Sequence, residues 1–230
     1  MLTRRFIALG GAILAVALLL ASGADALAAG TRVTVRVEGR THTLLARTAV
    51  RTHAGSITKG GAPAGACSAT SAAGALDRAT HRHWGGTYAS GLGIAVTSIF
   101  SERHTFSSSY YWGVWVDNRY AQHGICDLKL HRGEQLLFAA VPVKGTEHPT
   151  AIRAPRHANS GTLVRFHVVY FDAAGKPRPL AKAQLRSGTF TTATNQAGVA
   201  TVTVAKAGRF HFTADKKGYI RAARVTLRVS

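Results

Sequence analysis

Three sets of residues in this sequence are of types and spacings that could do chemistry. His123 stands three residues before Cys126, the pairing of a base with a thiol nucleophile. His81 and His83, in "HRHW", could face a metal ion. The stretch "YYWGVWVDNRYAQHGIC", residues 110 to 126, holds Tyr110, Tyr111, Trp112, Trp115 and Tyr120, an aromatic supply suited to stacking on a sugar or another flat ligand.

The thiol reading depends on the compartment. Arg4 and Arg5 precede an apolar run from Phe6 to Ala21, followed by "SGADALAAG" with Ala26-Leu27-Ala28 as a cleavage site. The run is about 16 residues, short of the roughly 20 that span a bilayer as a helix. Residues 1–28 therefore read as a secretory signal peptide, with an uncleaved anchor as the alternative. No later run is long and apolar enough for a membrane span. Only two cysteines exist, Cys67 and Cys126, and in an oxidising compartment such a pair joins. The expectation is a Cys67–Cys126 disulfide that closes a loop of about 60 residues and contributes roughly 4 kcal/mol. It removes the nucleophile.

The other reactive arrangements are weak. Residues two apart on a helix point to different faces, and His81 and His83 lack the i, i+4 spacing of a shared ion. No zinc-type Cys/His pattern occurs. The acids are few and unpaired, and Asp117, Asp172 and Asp215 fall in predicted turns, so a two-carboxylate glycosidase site is hard to build. "GGAPAG" has no basic residue and helix start placed to cradle a phosphate. The expectation is no enzyme, no metal and no cofactor.

Charge speaks about partners. Lys and Arg number 29 against 10 Asp and Glu, a formal +19, with 11 histidines besides. The leader would remove only Arg4, Arg5 and Asp25, leaving +18. Such a surface attracts polyanions, and on an exported chain these are an anionic cell-wall polymer such as a teichoic acid, an acidic glycan, lipid headgroups or extracellular DNA. The basic residues are scattered singly, and nothing reads a base sequence, so specific nucleic-acid recognition is not expected.

The elements that must position these residues follow from periodicity. "TRVTVRVEGRTHTLLARTAV" alternates Val33, Val35 and Val37 against Thr34, Arg36 and Glu38 and turns at Gly39, the pattern of a half-buried strand and hairpin. Ala72, Ala75, Leu76, Ala79 and His83 share one helical face behind Ser71 as N-cap. Strands are expected at 94 to 100, 110 to 116 and 134 to 141. In the middle one, Trp112, Val114 and Val116 face the core. Tyr111 and Trp115 take the opposite face, with Gly113 leaving a gap where a flat ligand or another backbone could approach. Residues 142 to 160 lose periodicity and hold three of the six prolines, which reads as a linker. Beyond it "TLVRFHVVYF", "AKAQLRS", "GTFTTAT", "GVATVTV", "GRFHFTA" and "AARVTLRV" follow, split by "DAAGKP", "NQAG" and "KKGY", the spacing of a small β-sandwich.

"VTVRVEGRTHTLL", "CSATSAAGALDRATHRHWGGTY", "GLGIAVTSI", Trp-x-x-x-Val-Asp-Asn at 112 to 118, Gly124-Ile125-Cys126 and "LHRGEQLLF" together carry a resemblance. Through them residues 31 to 141 resemble a family of secreted actinobacterial domains of unknown function related to the C-terminal β domain of the cobalamin carriers transcobalamin and intrinsic factor. The resemblance implies a β-grasp-like fold and no catalysis. In the carriers a large helical partner completes the cobalamin site. It is missing here, so cobalamin is not the expected ligand. Residues 150 to 230 look like the immunoglobulin-like modules of bacterial surface proteins, spacers or adhesion units.

The expected fold is thus α+β, a signal peptide at 1–28, a β-grasp-like domain at 29–145 (a mostly antiparallel sheet with one helix) and an all-β immunoglobulin-like sandwich at 146–230. The expected function is a secreted or cell-envelope binding module with an aromatic, basic surface. Tyr111 and Trp115 are the first ligand-binding candidates, with Tyr110, Tyr120, Trp84 and Tyr88 around them. A secreted hydrolase and a purely structural envelope protein are the alternatives.

Overall fold

The computed structural model describes residues 30–105, 107–145 and 147–230; the expected signal peptide lies outside the described residues. The fold is largely β. Its first half is built on β1 (Arg32–Glu38) and β2 (Thr43–Arg51), an antiparallel hairpin closed where the Gly39 amide donates to the His42 carbonyl at 2.9 Å. The one α-helix among the described residues, α1 (Ala72–Ala79), follows. Then come β3 (Trp84–Ala89), β4 (Gly93–Ile99), β5 (Glu102–Arg103), β6 (Tyr110–Val116), β7 (Arg119–Tyr120) and β8 (Gln135–Pro142). The main sheet has the order β2-β1-β8-β6-β7, and β8 runs parallel to β1 at its centre. β3, β4 and β5 form a separate small sheet.

Local chemistry accounts for these elements. The Ser71 side chain caps α1 by accepting from the Ala73 amide at 3.2 Å, and every helical residue except Arg78 is buried. The helix is shorter than its periodicity suggests: His81 and Arg82 take positive φ, so His83 leaves the apolar face expected for it and stacks on Phe100. β3 was not expected, because Gly85 and Gly86 have poor strand propensity. A Cβ on Gly86 would lie 2.6 Å from the Ala95 carbonyl oxygen, so the bare backbone is what lets β3 approach β4. Asp117 and Asn118, both at positive φ, make the two-residue turn between β6 and β7, and Asp117 Oδ1 accepts from the Gln135 amide at 2.9 Å. Cys67 and Cys126 are joined in a disulfide that ties the loop before α1 to the segment before β8. No helix among the described residues is long and apolar enough to cross a membrane.

The second half comprises β9 (His148–Arg153), β10 (His157–Ala158), β11 (Leu163–Phe171), β12 (Pro177–Pro179), β13 (Gln184–Ser187), β14 (Phe190–Ala193), β15 (Val199–Thr203), β16 (Gly208–Asp215), β17 (Tyr219–Ile220) and β18 (Val225–Val229). One sheet has the order β10-β18-β16-β13-β14, the other β12-β11-β9-β17 with β15 on β11. Phe166 of β11 and Phe212 of β16 meet with ring centroids 4.3 Å apart in the core between them. The segment expected as a linker without periodic structure carries β9 and β10. Ile152 and Thr150 of β9 are buried, and Pro149 is tolerated because only the two-residue β17 lies on that side.

The two halves have separate cores and a shared third one. Trp115, Leu137, Ala139 and Val141, on the face of the main sheet away from α1, pack with Ile220 of β17. Beside this cluster Glu38 lies between Arg36 at 3.1 Å and Arg221 at 3.2 Å, and Arg36 also donates to the Arg221 carbonyl at 3.0 Å. Arg119 donates to the Ala174 carbonyl at 3.0 Å, and its stem lies over Gly175. This contact corrects the half-buried reading of β1: Arg36 and Glu38 are buried too, because the second half covers the face they occupy.

Candidate functional site

The aromatic candidates separate by position. Trp115 is 4% exposed. Its indole lies along its own strand over Gly113, where a Cβ would come within 2.6 Å of the ring. The gap expected at Gly113 is therefore filled by Trp115 itself, and Ile220 closes the face from outside. Trp84 is also buried, donating from Nε1 to Asp77 Oδ1 at 2.8 Å beneath the Lys59 ammonium, and is a core residue. Tyr88 is half-buried against the first core. Tyr110 carries the Arg40 guanidinium over its ring, 4.8 Å from the centroid.

Tyr111 is half-buried against the Trp115–Ile220 cluster and Tyr120 is exposed; both border a groove together with residues that the aromatic alternation did not single out. Between β4 and the β6–β7 edge runs a groove of about 230 Å³. Ile94 and Val96 line it from β4, Trp112 and Val114 from β6, and Tyr120, Ala121 and His123 from β7 and the segment after it. Leu92, which lines it too, is 75% exposed. Tyr120 is 44% exposed and packs edge-on against Trp115 at 5.1 Å. Partial burial, and the Tyr111 hydroxyl beside it, push the Tyr120 phenol above its ordinary value, so it stays a neutral hydrogen-bonding group.

Two features fix the groove's shape. Gly93, at positive φ, lies so close to the disulfide that a Cβ would be 3.3 Å from Cys126 Sγ, and a Cβ on Gly124 would be 2.8 Å from the Leu92 carbonyl oxygen. The β3–β4 turn is thereby held against the disulfide-anchored segment that follows β7. On the opposite side His104 is set by Glu102 Oε1 at 2.7 Å, and the same oxygen accepts the Arg40 amide at 2.7 Å. The His104 ring stands 5.3 Å from Trp112 and 5.8 Å from Tyr110.

Trp112 is only 7% exposed, as its core assignment requires, yet its indole N–H has no hydrogen-bond partner. It is the one buried side-chain polar atom so placed among the described residues. Leaving such a donor unmet costs about 1–3 kcal/mol. No carboxylate lines the groove. His123 lines it, but Cys126 is committed to the disulfide, so the thiol pair has no thiol. Among the described residues no three His, Cys, Asp or Glu side chains gather as metal ligands.

Leu92, His104 and the orphaned N–H went unnoticed in the sequence. "SGLG" at 90 to 93 was the available signal, an apolar residue isolated between turn formers. No protein-family model matches the chain, and no curated protein matches it in sequence.

Proposed function

We propose that this is an exported, non-catalytic binding module that takes part of an extracellular ligand, a sugar ring or similarly compact group, in the groove between β4 and β6. The observation that carries this reading is the groove that Trp112 lines, a buried indole whose N–H has no partner among the described residues, with Leu92 exposed beside it. Ring-bearing ligands that are apolar on one face and rich in acceptors at the edge suit such a groove.

The architecture supports the same reading. A hairpin, a helix on one face and a central parallel β1/β8 pair are the arrangement a β-grasp-like domain requires, and two facing sheets around Phe166 and Phe212 suit an immunoglobulin-like module. We assign them to residues 29–145 and 146–230. The disulfide fits export.

The test is calorimetric titration of the mature protein with peptidoglycan fragments, chitin oligosaccharides, a glycerol phosphate polymer and hydroxocobalamin. One saturable ligand is expected to bind at 0.5 M salt (roughly the range where exposed charge contacts are screened) and to be lost in Leu92→Asp. Absence of salt-resistant binding across the set would leave a purely structural envelope protein as the better reading.

A further inference from the structure

We propose that the outer face of the β10-β18-β16 sheet is a second, separate binding groove, for an extended phosphodiester polymer without aromatic bases, held by Arg153, Arg156, Arg209 and Arg228. The site belongs to the second half of the chain and does not depend on the Trp112 groove.

Strand register creates it. His157 of β10 pairs with Arg228 of β18, and Arg228 pairs with Arg209 of β16, so three basic side chains lie in one row across three strands. All three are exposed on the side away from Phe210, Phe212 and Leu227. Arg153 and Arg156 reach the same groove from β9 and the segment before β10. Like charges directly opposite on neighbouring strands are destabilising, and a fold gains nothing from placing Arg209 against Arg228. Among the described residues neither has a carboxylate to neutralise it. The ion pairs of this half among the described residues are Arg178–Asp172, Arg186–Asp215 and Arg221–Glu38, all elsewhere. An anion seated across the row would convert that repulsion into attraction.

The shape argues for a chain over a single ion. The groove is about 790 Å³ and open; a second groove of about 780 Å³ shares Arg153, Ala154, Pro155 and His157 with it and adds Arg165 and His167. The positive track thus passes from one sheet of the sandwich over its edge to the other. Guanidinium forks match phosphate oxygens, which favours phosphodiester charge. Among the described residues no Phe, Tyr or Trp lines either groove, so nucleobases would find only the imidazoles of His157, His167 and His211 and the guanidiniums to stack on.

The experiment measures binding of a glycerol phosphate polymer to the whole mature protein at several salt concentrations. It compares Arg209→Gln/Arg228→Gln with Arg78→Gln/Arg132→Gln, which removes the same charge from exposed positions in the first half. The groove pair is expected to lose at least about tenfold in affinity and to flatten the log–log salt slope by about 1.4, roughly 0.7 per lost contact. The control pair is expected to stay within about twofold of wild type, with thermal unfolding showing both variants folded. Equal losses in the two pairs would reduce the effect to general basicity and overturn the site. Tighter binding of oligothymidine, or equal binding of inorganic phosphate at matched phosphate concentration, would overturn the choice of occupant. Arg153→Gln/Arg156→Gln gives an independent reading of the same groove.

Discussion

Trp84 and Trp112 are two buried indoles of one core with different fates, and the difference is chemical. The Trp84 N–H is met by the buried Asp77 carboxylate at 2.8 Å; the Trp112 N–H is met by nothing among the described residues. Trp84→Phe should therefore cost about 1.5–3 kcal/mol in urea unfolding, the worth of a hydrogen bond to a charged group. Glu38 is the other residue on which much rests, at 2% exposure between two guanidiniums. Burial raises its carboxyl against the pull of Arg36 and Arg221, and burial likewise lowers Arg36. Desolvation thus offsets much of the attraction, and the triad sets how β1 meets β17 more than it adds stability. Glu38→Ala, which strands both cations, should cost about 3–5 kcal/mol by the same unfolding measurement.

At the scale of elements, β6 and its turn were legible because side-chain alternation and the Asp-Asn pair are local signals. β11, β13 to β16 and β18 were legible for the same reason, each a short period-two run bounded by Gly, Asn or Asp. β9 was not, since Pro149 argues against a strand unless its short partner is known, and β3 was hidden by Gly85 and Gly86. The β11–β12 hairpin carries its own pH dependence. Asp172 accepts the Lys176 and Ala174 amides and pairs with Arg178. The Lys176 amide first, then Arg178, hold its carboxyl below the ordinary value. A carboxyl lowered by folding adds stability above its unfolded value, about 3.9, and loses it as pH falls through the folded one. Hydrogen exchange at Ala174 and Lys176 should therefore gain a component, as pH drops below about 4, that Asp172→Asn lacks. Identical exchange in the two proteins would show that the Asp172 carboxylate does not hold this turn.

At the scale of the molecule, the second half covers the sheet face that carries Tyr111 and Trp115, and this moves the binding site. The cover was written only faintly in the sequence. The apolar run Leu136-Leu137-Phe138-Ala139-Ala140-Val141 signals a strand buried on both faces, but Ile220 sits in a two-residue strand that no periodicity announces. Gly113→Ala should push Trp115 off the sheet and loosen the contact between halves, seen as a red shift of tryptophan emission. The Cys67–Cys126 bridge, which braces the groove through Gly93, should contribute about 4 kcal/mol that disappears on reduction. The most direct test of the account is the ¹⁵N–¹H spectrum of the three indoles, with Trp112 assigned through Trp112→Phe, recorded during titration with the ligand found by calorimetry. The account predicts that the Trp112 Nε1–H resonance moves downfield and gains exchange protection as the ligand saturates, while those of Trp84 and Trp115 stay in place. Movement of Trp115 with Trp112 unchanged would contradict it.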